Sequence, residues 1–278
     1  MILYPLIISI LAVMNPFLGL VLLLSYSAKN MVLSMANPIK ALLLFFPVPL
    51  GFLFLDANPG TQVMAMDAIF AVGGVSLIFL YMLKRGNKIN DAFLVANLGL
   101  LVYGLLRYKL FGTSQAQMFD QGLEMLNTQM PTLVNNAMFT EALPLWKAIL
   151  PSVWVITQSI GFVLGFILFQ RLLKIPSILQ SLSFPGIYNL LIIAIIPLYL
   201  IEQTKMLFLN ALLALCVIPF LQGISSVWQR LGLVFANRVV LGILMFVIIL
   251  YAHIMLVLLG FADMWINERK EIPGGITA

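Results

Sequence analysis

Residues 238–271 read RVVLGILMFVIILYAHIMLVLLGFADMWINERKE. From Val239 to Ala262 the only polar side chains are Tyr251 and His253, and then an aspartate, a tryptophan and a knot of charges stop the run. A helix needs about 20 mainly apolar residues to cross the hydrocarbon of a bilayer. The stretch 238–263 therefore reads as a membrane span, and its charged close as the point where a helix leaves lipid. Whether that close is a bare anchor, a docking patch or a catalytic carboxylate depends on the rest of the chain.

The rest of the chain has the same character. Of 278 residues, 62% are hydrophobic and 9% charged, with a mean hydropathy of +1.08. Soluble domains carry roughly a quarter charged residues, so this chain cannot cover a water-facing surface and lipid is its solvent. One cysteine, Cys216, excludes an internal disulfide framework and a cysteine zinc site. One histidine, His253, excludes a multi-histidine metal site, and no cofactor motif is present. The pI of about 9.4 comes from basic residues scattered singly at the ends of apolar runs. That is a topology signal, not a nucleic-acid face. The opening MILYPLIISILAVMNP has no basic n-region and no small-residue cleavage site, so it reads as a retained segment.

Seven spans, that one included, are expected at about 38–55, 64–83, 92–112, 145–170, 186–203, 206–228 and 238–263. The stretch 2–28 is interrupted by Asn15-Pro16 and is either one kinked span or a hairpin of two half-spans. The expected fold is all-α: a single-domain polytopic transmembrane bundle, 1–278, of eight or nine spans.

Orientation follows from Lys and Arg in the connections. One side holds Lys29, Lys40, Lys84, Arg85, Lys88, Arg171, Lys174, Arg230 and Arg238 against a single acid, Asp91. The other holds Arg107, Lys109, Lys147, Lys205, Arg269 and Lys270. Its acids are Asp56, Asp67, Asp120, Glu124, Glu141, Glu202, Asp263, Glu268 and Glu271. Nine basic residues against six place the first side in the cytoplasm. The segment 113–143 and the C-terminus are then extracytoplasmic.

The one long polar interlude, FGTSQAQMFDQGLEMLNTQMPTLVNNAMFTEAL at 111–143, lies outside. Ser114 and Gln117 form a capping box that opens a helix. Phe119, Leu123, Leu126 and Met130 follow at helical spacing, and Pro131 ends the helix. This amphipathic helix is too short to span. It is read as a connector at the interface, with a lid over the bundle mouth as the sharper alternative.

Polar groups at membrane depth are costly and are functional candidates by default. They are Asn15, Asn97, Gln158, Asn189, Asn210, Gln222 and His253, all neutral, with Asp67 and Glu202 read as lying near span ends. A carboxylate in mid-span, which an ion-coupled pump would want, is not expected. Asn210, Gln158 and Asn97 are the candidate ligand-binding residues. Gly161-x-x-x-Gly165, Gln222, Gly223 and His253 are read as helix-packing positions, His253 bonding a neighbouring helix. Asp263, Trp265, Arg269 and Lys270 form the candidate interface patch, with Arg269 one turn from the Trp265 indole. His253 and Asp263 are about 15 Å apart along one helix, too far for an acid–base pair. No nucleophile set, Walker motif or paired carboxylates occurs, so the chain reads as a non-enzyme.

The last third carries a resemblance. The run LFLNALLALCVIPFLQGISSVWQRLG, residues 207–232, followed by a span ending GFADMWINERK, resembles the YybS-like family of uncharacterised bacterial membrane proteins. The matching positions are Asn210, Gln222, Gly223, Gly260, Asp263, Trp265, Arg269 and Lys270. The loop KIPSILQSLSFP and the helix after LRYKLFG also fall where the family has them. The resemblance implies residence in the cytoplasmic (inner) membrane of a bacterium and an architecture distantly similar to the substrate-binding membrane subunits of energy-coupling-factor transporters, which hold a small ligand near the outer face. Two readings follow. The first is a protein that binds or moves a small solute in an outward cavity lined by Asn210 and Gln158. The second is a scaffold that captures a membrane-protein partner through its outer helix and tail. The likeness puts the first reading ahead, and the lack of membrane acids and of a small-xxx-small pair in the first span motivates the second as the alternative. An intramembrane lipid enzyme, resting on His253 and Asp263 alone, is the weakest reading.

Overall fold

The computed structural model describes residues 3–34, 38–56, 58–134, 136–174, 182–235 and 237–266. Among them the chain is helical throughout, with no strand. Proline sets many of the starts: Pro16, Pro38, Pro47, Pro59 and Pro131 are each the first residue of a helix, where a missing N–H is harmless. In chain order the helices are α1 (Leu3–Met14), α2 (Pro16–Ser34), α3 (Pro38–Leu43), α4 (Pro47–Leu55), α5 (Pro59–Lys84) and α6 (Ile89–Gln129). They continue with α7 (Pro131–Val134), α8 (Ala137–Leu172), α9 (Tyr188–Leu200), α10 (Glu202–Val234), α11 (Arg238–Tyr251) and α12 (His253–Ile266).

Four of these, α5, α6, α8 and α10, are long and apolar enough to cross a membrane, and a fifth joins them if α11 and α12 count as one bent span. The other runs expected to span are interrupted. A turn before Pro47 splits 38–55, and a turn before Pro197 splits 186–203. Proline has no N–H to donate and its ring clashes with the carbonyl four residues back. The Asn15-Pro16 break is a hairpin. The Tyr4 and Tyr26 rings stack 6.2 Å apart, whereas one straight helix would hold those residues about 33 Å apart. Gly19 packs against Ala12 with no room for a Cβ, and the Asn15 carboxamide oxygen accepts from Leu18 N–H at 3.2 Å.

The core lies where α2, α5, α6 and α8 meet. Phe79 of α5 packs edge-on against Phe162, Phe166 and Phe169 of α8, and Phe93 of α6 stacks on Phe162 at 4.6 Å. Gly161 and Gly165 make the α2–α8 approach possible. A Cβ on Gly161 would meet the Phe17 ring at 2.9 Å, and one on Gly165 would come within 3.1 Å of the Val21 backbone.

The run that opened the sequence reading is broken at Ala252, where α11 and α12 diverge by 99°. No proline or glycine stands at or beside Ala252 to mark the break. α12 packs tightly on α10 because Gly260 rests on the Pro219 carbonyl and Gly223 on the Leu256 carbonyl, neither with space for a Cβ. α11 stands apart, burying only Leu241 and Met245. Most of its side chains, Val239, Ile243, Phe246 and Tyr251 among them, face outward.

Candidate functional site

Three places in this frame concentrate chemistry. The first is a polar layer where the Pro59 half of α5 meets α6 and α8. Asp67 is buried in α5, directly before a π-helical stretch, Ala68–Gly74. Its Oδ1 accepts from Arg107 Nε at 2.7 Å and from the Tyr103 hydroxyl at 2.8 Å, and its Oδ2 accepts from an Arg107 terminal nitrogen at 2.9 Å. The Arg107 guanidinium lies 4.6 Å above the Trp154 ring, and Phe70 stacks on Tyr103. α5 begins at Pro59, so Asp67 lies in the Pro59 half of that helix, and what the sequence did not show is that it is buried there. It is held as a bidentate ion pair roofed by aromatics.

The pairing had a signal. Asp67 is about 26 Å before Lys84, and Arg107 about 27 Å beyond Ile89. Two helices joined by a short loop bring those depths together.

Asn97, Gln158 and Asn210, the expected ligand set, line neither the arm cleft nor the cavity beside Asp263 that are described below. Asn97 Nδ2 donates to Ser159 Oγ at 3.2 Å. Asn210 reaches from α10 into the backbone of α8 beside Pro151. Its oxygen accepts from Ser152 N–H at 3.0 Å, and its nitrogen donates to the Ala148 carbonyl at 2.8 Å. Those two groups are each other's natural partners in an unbroken helix, so Asn210 fills the opening that proline makes. Gln158 is buried, and its Oε1 has no hydrogen-bond partner among the described residues.

The second place is a knot joining α9, α10 and α12. Gln222 Nε2 donates to Asp263 Oδ2, while its oxygen accepts from Phe184 N–H at 3.2 Å. Asn189 Nδ2 donates to the Phe261 carbonyl at 3.1 Å, and Gly186 lies under the Met264 carbonyl. Gln222, Gly223, Gly260 and Asp263, from two distant stretches, thus meet. Asp263 is buried here and is not an exposed anchor. It also lines a cavity of about 200 Å³ together with Arg230 and Ile266. The charge count put Arg230 and Asp263 on opposite faces of the bilayer, whereas here they line one small cavity. Trp265 is exposed and stacks on Phe261; Arg269 and Lys270 lie outside the described residues. His253, expected to bond a neighbouring helix, is exposed at the start of α12. The nearest acceptor shown for its ring is the Leu250 carbonyl of its own chain segment at 3.4 Å, because the break at Ala252 swings it outward.

The third place is an arm. α6 has 41 residues and α8 has 36, about 61 and 54 Å at 1.5 Å per residue, so both outrun the roughly 30 Å hydrocarbon layer. Their parts nearest α7, which joins them, project as a largely exposed helical hairpin. The helix expected to start afresh at a Ser114–Gln117 capping box is the continuation of α6. Ser114 and Gln117 are interior positions, and the boundary is a kink at Phe111 (φ −127°, ψ 16°). Pro131 does end it. The stripe Phe119, Leu123 and Leu126 faces Phe139, Leu143 and Trp146 of α8 across an open cleft of about 490 Å³, floored by Gly122 and edged by Met118. Lys147 pairs with Asp120 at 2.5 Å beside it. Met130, last of the expected stripe, is exposed and outside the cleft.

Comparison with protein-family models, with curated proteins and with solved structures finds no match to this chain.

Proposed function

We infer that this is a membrane-anchored docking protein, whose body holds a projecting helical hairpin at the outer face so that the hairpin captures a partner. The observation that carries this reading is the arm cleft, an apolar groove of about 490 Å³ exposed beyond the membrane-length part of α6 and α8. Proteins rarely leave such a surface uncovered without using it. The residues offered to a solute, Asn97 and Asn210, already bond within the bundle. The proposal includes membership of the YybS-like family, carried by the meeting of Gln222, Gly223, Gly260 and Asp263, and residence in a bacterial cytoplasmic membrane. It counts seven crossings, with α1 as an added half-span and α11 with α12 as a re-entrant pair. It also moves the tail to the side of Arg230. Arg269 and Lys270 then join the cytoplasmic group, and the basic bias rises from nine against six to eleven against four.

A second reading, solute binding within the bundle, is favoured by one observation, the buried and unpartnered Gln158 Oε1. Native mass spectrometry of the chain extracted in its own lipids separates the two. The docking role predicts a retained protein that is lost on deleting residues 113–130. A retained metabolite, lost in Gln158→Leu and indifferent to that deletion, would replace docking by solute binding.

A further inference from the structure

We propose that the π-helical stretch Ala68–Gly74 is a register device of α5: the extra residue it absorbs is what turns Asp67 onto Arg107. The device is independent of what the arm binds. A π turn closes its hydrogen bonds from residue i to i+5, and such turns are rare and cluster at functional positions. Asp67 and Phe79 are twelve residues apart. At 3.6 residues per turn an unbroken helix would hold them about 120° apart. Taking one residue out of the count leaves about 20°.

The contacts require the smaller angle. Phe79 points at Phe162, Phe166 and Phe169 of α8. Asp67 points toward the same neighbours, to Tyr103 and Arg107 of α6 beneath Trp154 of α8. Along one buried stripe Val63, Asp67, Val72, Ser76 and Phe79 advance by four, five, four and three residues, and the step of five enters the π stretch. An α-helix keeps to one face with steps of three and four. Without the wide turn, α5 would seat Phe79 in the core or Asp67 on Arg107, and not both. Missing the second contact leaves a charge buried without its partner, the costly state of an ion pair. Gly73 fixes the half of the helix that carries Phe79, because a Cβ there would meet the Phe46 ring at 2.7 Å.

The experiment removes one residue from each of two helices in the full chain, purified in detergent. Deleting Ile69 straightens α5 and keeps Gly73 in phase with Phe79, so Asp67 should still meet Arg107. Deleting Leu98, half-buried like Ile69, cuts an unbroken α-helical part of α6. That deletion turns Tyr103 and Arg107 about 100° away from Asp67. Each deletion is melted with and without Arg107→Met. Arg107→Met should lower the melting temperature of the wild type by about 10 °C, and that of the Ile69 deletion by the same amount. The Leu98 deletion should melt well below the Ile69 deletion and show no further shift with Arg107→Met. An Ile69 deletion that no longer folds, or that folds and ignores Arg107→Met, overturns the proposal. A Leu98 deletion tolerated as well as the Ile69 deletion also overturns it, because tolerance would then owe nothing to the wide turn.

Discussion

Asp67 and Arg107 form a pair whose value lies in its completeness. Each charge is buried, and each is answered by a fork of hydrogen bonds. Breaking one side strands the other, a loss of about 3–5 kcal/mol for a buried ion pair. Arg107→Met should therefore lower stability by roughly that amount, read as the shift in thermal or denaturant unfolding in detergent. The double variant Asp67→Leu/Arg107→Met should recover most of the loss. It would fall short by the roughly 1–3 kcal/mol of leaving the Tyr103 hydroxyl without its acceptor. Equal losses in the single and double variants would show that the pair does not hold the helices. Arg107→Lys should resemble the methionine variant more than the wild type, because an ammonium cannot reproduce the bidentate fork.

Helices show a second regularity: where two backbones touch, glycine is obligatory, and where a helix stands free, it is a defect. Gly260 and Gly223 have carbonyl oxygens where a Cβ would go, while Gly242 on α11 has nothing within 4 Å. Gly260→Ala should therefore cost at least the roughly 1–3 kcal/mol of an overpacked core, since a backbone carbonyl cannot rotate aside as a side chain can. Gly242→Ala should stabilise by up to about 1 kcal/mol through helix propensity. The contrast is measured by melting both variants side by side, and a neutral Gly260→Ala would mean that α12 does not rest on the Pro219 carbonyl of α10. The proline breaks were legible in sequence and the Ala252 break was not. Proline announces its effect through its own covalent structure, whereas the bend at Ala252 comes with α12 turning to lie on α10.

At the scale of the molecule, sidedness is the decisive question. A cysteine replacing Met125 on the arm, in a Cys216→Ala background, should react with a membrane-impermeant maleimide on intact cells. One replacing Asn87 in the loop between α5 and α6, or added at the end of the tail, should react only after permeabilisation. A tail that labels from outside would restore the division first drawn from the charges. It would also require Asp263 and Arg230 to part company. An arm protected in intact cells would invert the whole topology.

Composition and periodicity determined the solvent, the helicity, the apolar stripe of residues 119–126 and the basic rim, because each is a sum over local residues that needs no partner. Tertiary structure alone decided which polar group answers which: Asp67 with Arg107, Asn210 with an opened helix, Gln222 with Asp263. It alone turned the last apolar run back onto α10 and set the arm's stripe across a groove. A buried hydrogen bond depends on depth and rotation in two helices at once, and one strand of text carries neither coordinate.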